Sequence, residues 1–238
     1  MAVFALWSAP RARSTAFFRS MVERGDVIAV HEPFSDLIGL GETDVQGRPF
    51  HSLHSLLAWL VDETADLDVF VKDTPNDRHR DVFNDRRFLV ETKHAFLIRR
   101  PEEIAASFYA VERDSRVDSI GLETLYAIYR SVQDAGGHPP VVLDSEDLVA
   151  RPDATMAAYC AAVGLPFIPE ALTWEPGERV EWRRSARWHV DVSASRCFEQ
   201  RERTYEHTVD TSADLARYAA HHAPFYGLLR AERLRVSG

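Results

Sequence analysis

Apolar runs too short for helices alternate, through the first 145 residues, with segments whose apolar positions recur every three to four residues. Val3 to Trp7, Val27 to Val30, Asp68 to Val71, Phe96 to Ile98 and Pro140 to Leu143 have the length and the β-branched or aromatic content of buried strands. Phe17, Phe18, Met21 and Val22 fall on one helical face, as do Leu53, Leu56, Leu57, Leu60 and Val61, and Leu122 to Val132 repeats the pattern. Continuous apolar strands alternating with amphipathic helices predict a parallel sheet covered on both faces. The expected class is α/β, a three-layer sandwich with a central parallel sheet of about five strands flanked by helices. Beyond the sheet, Asp153 to Val163 reads as a helix stopped by Gly164 and Pro166, and Ser212 to Arg230 as a last helix that Pro224 should break. Gly39, Gly41, Gly47 and Pro49 lie among polar residues in 39–51, which predicts a long open loop facing substrate or serving as a lid.

No linker interrupts the 238 residues, so 1–238 is expected to form a single domain. An apolar fraction of 45%, with thirteen Phe, seven Tyr and five Trp, supplies a sizeable core and excludes a disordered chain. Twenty-eight basic against 37 acidic residues give a formal charge of −9, which argues against general affinity for nucleic acid or an anionic membrane. An anion site in such a chain has to be a local focus of positive charge. No apolar run is long enough to span a bilayer, and the first residues are strand-like instead of a basic leader, so the chain reads as cytoplasmic. Cys160 and Cys197 lack metal-ligand spacing and read as inert thiols. His51 and His54 have no third ligand at a recognisable spacing, and no metal site is expected.

Candidate chemistry follows the strands. Pro10-Arg11-Ala12-Arg13-Ser14-Thr15 joins the first strand to the first helix, whose leading N–H groups lack intrahelical partners. Two arginines and two hydroxyls at that point make either an anion cradle or an ordinary N-capped helix with solvated arginines. The second strand ends in His31-Glu32-Pro33 and the third in Lys72-Asp73-Thr74-Pro75, at the carboxyl ends where open α/β sheets bind ligands. Glu32, His31 and Asp73 are candidate general bases, and Lys72 a cation for a developing charge; polar strand ends are the plainer alternative. Arg99 precedes Pro101 and the fourth strand's helix, with Ser107 two turns on. They could grip a second phosphate, or be a surface arginine and a helical serine. Trp174 to Phe198 interleaves three tryptophans with Arg179, Arg183, Arg184 and Arg187, a pattern able to stack on a base or simply to pack. The layout is P-loop-like, yet a glycine-bounded loop closing in Gly-Lys-Ser/Thr is absent, so the first turn suits one phosphate better than a triphosphate.

Ala9-Pro10-Arg11-Ala12-Arg13-Ser14-Thr15, together with Arg99-x-Pro101 and Ser107, resembles the two nucleotide-binding signatures of sulfotransferases that use 3′-phosphoadenosine 5′-phosphosulfate. The resemblance implies that donor, a small-molecule acceptor, and sulfuryl transfer without a metal. It implies that Arg11, Ala12, Arg13, Ser14 and Thr15 hold the 5′-phosphate and that Arg99 and Ser107 hold the 3′-phosphate. The late segment 174–198, with Arg183, Arg184 and Trp188, would close over the nucleotide. Glu32 matches the glutamate base of some bacterial members, ahead of His31 or Asp73; Lys72 is followed by Asp73, where many cytosolic members carry Thr-His. Arg13 stands at the family's usual glycine, so the turn there has to avoid a left-handed conformation or accept strain. Acceptor-facing segments are expected at 35–50, 75–85 and 110–120. An ATP-dependent phosphotransferase or nucleotide hydrolase, or a non-catalytic nucleotide-binding relative, is the alternative.

Overall fold

The computed structural model describes residues 2–63, 68–113, 121–199 and 203–236. Its centre is β1 (Val3–Ser8), six residues that are all buried and that pair in parallel with β5 (Asp68–Asp73) on one side and β6 (Lys93–Ile98) on the other. β2 (Val27–His31) extends the sheet beyond β5 and β7 (Val141–Asp144) beyond β6, giving the parallel order β2-β5-β1-β6-β7. This is the five-stranded parallel, P-loop-like sandwich expected from the alternating pattern. Two-faced burial explains the unbroken apolar runs: Phe4, Leu6, Trp7, Phe70, Phe96 and Leu97 are almost wholly inaccessible. Side chains of this size each contribute about 1.5–3 kcal/mol when removed from water.

α1 (Ser14–Arg24) follows β1 and buries Phe17, Phe18 and Met21, then stops at Gly25, whose φ of 70° a side chain would resist. α5 (Pro101–Tyr109) follows β6 with Pro101 in its first turn, and α6 (Leu122–Ala135) and α8 (Pro152–Val163) lie where the helical periodicity predicts. Three short helices carry too little periodicity to be read from sequence: α4 (Arg86–Glu91), α7 (Ser145–Ala150) and α9 (Val190–Ser193).

Three expectations are corrected. The open loop at 39–51 is instead the end of α2 (Pro33–Leu40) and a hairpin of β3 (Thr43–Val45) with β4 (Arg48–Phe50). Gln46 and Gly47, with φ of 52° and 84°, form the two-residue turn that suits a hairpin's twist, and Asp44 Oδ1 accepts the Gly47 N–H at 2.8 Å. The helix expected across Leu53 to Val61 begins as α3 (Leu53–Ala58) and continues as a π-turn over 59–63. α10 (Ala213–Ala231) continues through Pro224. Leu215, Tyr218, Ala219, His222 and Leu229, buried on both sides of the proline, hold it against the sheet and α5. Their packing outweighs the ~3 kcal/mol that an interior proline costs a helix.

Candidate active site

The turn from β1 into α1 holds two left-handed non-glycine residues within three positions. Arg11 and Arg13 both adopt left-handed conformations, with φ of 59° and 64°. A side chain there costs roughly 1–2 kcal/mol per residue, so the turn accepts the strain that a glycine would avoid. The arginines' own bonds hold it. Arg13 Nη1 reaches Glu146 Oε1 at 2.9 Å, and Arg99 Nη1 donates to the Arg11 carbonyl at 2.8 Å. Ala12 is wholly buried and anchors the turn from beneath, so its expected contact with a ligand is limited to its backbone. Arg13 is the N-cap residue of α1 and makes no side-chain cap, so the helix's leading amides are not consumed by a capping group. Ser14 and Thr15 line the cleft in front of them, and the Thr15 hydroxyl lies 2.8 Å from His189 Nδ1.

Glu32, at the end of β2, is a third left-handed residue, with φ 49° and ψ 43°. Its N–H donates to the Lys72 carbonyl at 2.7 Å, and its carboxylate forms an ion pair with Lys72 Nζ. Thr74 completes a triangle: its hydroxyl lies 3.1 Å from Glu32 Oε1 and 3.2 Å from Lys72 Nζ. Burial pushes the Glu32 carboxyl up, but the adjoining ammonium outweighs it and holds the group ionised well below the usual carboxylate range. Lys72, 2% exposed, has in that carboxylate the partner a buried charge needs.

The other two base candidates are placed differently. His31 does not line this cleft; its ring packs edge-on to Phe18 and His189, and Nε2 has no hydrogen-bond partner. Burial, aided by Lys72, pushes its pKa down to about 3, so it is neutral and a poor proton acceptor. Asp73 is completely buried and serves as the anchor of α2: Oδ2 accepts the N–H groups of Phe34 and Ser35 at 2.9 and 3.1 Å. Oδ1 accepts the Ser35 hydroxyl at 2.5 Å and the Thr74 N–H at 2.8 Å. Four donors occupy the lone pairs that a base would use.

The β6–α5 junction brings the second pair to the first. Ser107 Oγ accepts Arg11 Nε at 3.0 Å, and Arg99 is ion-paired with Glu103. Arg11 also donates to the Trp188 carbonyl at 2.8 Å, and the Trp188 ring stacks on Phe108 at 5.3 Å. The late segment thus touches the turn through Trp188. Arg183 and Arg184 are not brought to the cleft: Arg183 is exposed, and Arg184 faces Asp36 and Glu42 at 3.6 and 3.9 Å. Trp174 and Trp182 are buried in the core. Arg11, Ser14, Glu32, Lys72, Arg99 and Ser107 share one cleft of about 820 Å³ at the carboxyl ends of the strands. Its cations already face carboxylates, since Asp191 lies 3.9 Å from Arg11 and also pairs with Arg203. Of the expected acceptor segments, Ser35 lines the cleft, 75–85 and 110–113 do not, and 114–120 lies outside the described residues.

Thr74, His189 and Asp191 were not singled out from the sequence. Thr74 was discoverable, being two positions after Lys72 and before a proline; nothing local marks the other two. Cys197, expected to be inert, lines the cleft as a half-buried free thiol. Among the described residues, no three His, Cys, Asp or Glu side chains are grouped to hold a metal ion.

A family model for the sulfotransferase domain matches residues 84–233. The chain belongs to this family. The matched span contains Arg99, Ser107 and Trp188, whereas Arg11, Glu32 and Lys72 precede it. Among solved structures, the sulfotransferase domain from the curacin biosynthetic pathway aligns with TM-score 0.55 at 13% identity, over 93% of this chain and 97% of that one. The sulfotransferase domain of the Synechococcus PCC 7002 olefin synthase aligns with TM-score 0.52 at 14% identity, over 94% of each chain. Likeness at such identities is one of fold. Two Arabidopsis thaliana proteins named branched-chain-amino-acid aminotransferase-like protein 2 and 1 are 30% and 28% identical over 81% and 72% of this chain. The chain spans about a third of their length, 35% and 32% respectively, so their names describe much longer proteins.

Proposed function

We propose that this sulfotransferase moves a sulfuryl group from 3′-phosphoadenosine 5′-phosphosulfate to a hydroxyl or amine of a small-molecule acceptor by in-line displacement. The observation that carries the reading is the Glu32–Lys72 pair opening into the same cleft as Arg11 and Ser107. Arg11, Ser14, Thr15 and the leading amides of α1 bind the 5′-phosphate; Arg99 and Ser107 bind the 3′-phosphate, Arg99 exchanging Glu103 for it. The 174–198 segment of a single 1–238 domain covers the nucleotide through Trp188. Glu32 takes the acceptor's proton as the acceptor–sulfur bond forms. The electrons of the breaking sulfur–oxygen bond pass to the departing 5′-phosphate, and Lys72 and Arg11 neutralise that charge. As Lys72 turns toward that charge it loosens its hold on Glu32, whose basicity rises when it is needed.

Calorimetric titration with 3′,5′-bisphosphoadenosine, followed by an acceptor screen with labelled donor, tests the reading. Glu32→Gln lowers kcat by about 10²–10⁴-fold and spares nucleotide binding. Arg11→Ala weakens nucleotide binding by about tenfold or more, since it removes a charge-assisted contact. Full turnover by the glutamine variant removes Glu32 from the chemistry, and tight magnesium–ATP binding with none to the bisphosphate favours a phosphotransferase.

A further inference from the structure

His189 lies within the late segment, 6% exposed, and its two ring nitrogens contact two different hydroxyls. Nδ1 lies 2.8 Å from Thr15 Oγ1 in the turn, and Nε2 lies 2.9 Å from Ser185 Oγ in its own segment. The backbone fixes the ring: the His189 N–H donates to the Ala186 carbonyl at 2.9 Å, and its carbonyl accepts the Ser193 N–H at 3.0 Å. His31 and Trp182 wall it in, with ring centroids 5.0 and 6.0 Å away.

A neutral imidazole carries one N–H and one acceptor nitrogen, so this contact chain has a direction. Thr15 can give its proton to an anion in the turn only if it does not give it to His189. The histidine must then donate from Nδ1 to Thr15 Oγ1, which leaves Nε2 to accept the Ser185 proton. Ser185 is free to supply it, because its other contact, to the Trp182 carbonyl, is a long 3.5 Å. We infer that His189 is a positioning residue: with an anion bound, Ser185, His189 and Thr15 form a one-way hydrogen-bond chain that aims the Thr15 proton at that anion. It does not touch the ligand. It links closure of the late segment to the quality of the phosphate cradle. The inference rests on the anion-binding reading of the turn. Burial, together with Lys72 and Arg11, pushes the His189 pKa down to about 3, which keeps the ring neutral as the chain requires.

Two conservative variants separate the two nitrogens, since an asparagine amide reaches the position of Nδ1 and a glutamine amide that of Nε2. His189→Asn keeps the Thr15 contact and binds 3′,5′-bisphosphoadenosine within about threefold of wild type. His189→Gln keeps only the Ser185 contact and binds it about tenfold or more weakly, the loss expected for one hydrogen bond to a charged group. In a Thr15→Val background the glutamine change costs nothing further, which distinguishes orientation of Thr15 from a general loss of fold. Inorganic sulfate serves as a second probe. Equal affinities of His189→Gln and wild type for both probes overturn the inference, as does an undiminished glutamine effect without the Thr15 hydroxyl. Sulfate binding that follows the predicted pattern without nucleotide binding supports the inference and overturns the nucleotide reading. A wild-type protein that binds neither probe overturns both.

Discussion

Arg13 stands where the resemblance predicts a glycine. Its φ of 64° is a conformation that glycine adopts freely, and the guanidinium bond to Glu146 helps fix it. Arg13→Gly and Arg13→Ala both lose that bond, yet only alanine keeps a Cβ in the left-handed region. The glycine variant should be more stable than the alanine variant by about 1 kcal/mol in urea denaturation. Equal midpoints would mean that the turn relaxes out of this conformation. Arg11 and Glu32 carry the same signature at φ 59° and 49°, so three of the candidate site residues sit on strained backbone. None of this strain was legible in the sequence, where Arg13 raised the question without answering it and Arg11 and Glu32 gave no sign.

At the scale of elements, the decisive fact is that α2 begins on the carboxylate of Asp73. The sequence marks Asp73 as a possible base because it follows Lys72 at a strand end; its bonds to the N–H groups of Phe34 and Ser35 make it the anchor that aims Glu32. Asp73→Ala should cost about 2–4 kcal/mol in urea denaturation, because it leaves several buried donors unpaired. Loss of turnover with undiminished stability would return Asp73 to the list of bases. α10 offers the opposite test. Pro224 is exposed in the middle of a helix whose buried residues flank it on both sides. Pro224→Ala restores an N–H to the ladder and should stabilise the protein by about 1–3 kcal/mol, read as a higher Tm. A lower Tm would show that the proline is needed where it is.

Across the whole molecule, three buried histidines share one electrostatic fate. Burial pushes His31 and His189 down to about 3 and His94 to about 4. Each takes up a proton more readily unfolded, near pH 6.5, than folded. Their contribution to stability is therefore complete above about pH 6.5 and is lost as pH falls toward 4 and then 3. Each adds a slope of at most about 1.4 kcal/mol per pH unit in that window. Urea midpoints should fall steeply between pH 6.5 and 4.5, and His94→Gln should flatten the slope; a midpoint constant over that range would show that the histidines ionise within the fold.

What the sequence determined by itself was the layered architecture and the charged and polar groups at the strand ends. Short continuous apolar runs, period-3.6 hydrophobicity and strand-to-helix junctions are local, so Val3 to Trp7, Glu32, Lys72, Arg99 and Ser107 could be read one segment at a time. Only the tertiary structure decided which of those ends meet. Arg11 and Ser107 are 96 positions apart and 3.0 Å distant, and Thr15 and His189 are 174 apart and 2.8 Å distant. It also separated the arginines of the late segment from the cleft, while the same segment delivered Trp188 and His189 to it. The physical reason is that a side chain's charge is written in its residue type, whereas its partner and its burial are set by strand order. Residues far apart along the chain become neighbours only when the sheet assembles around β1.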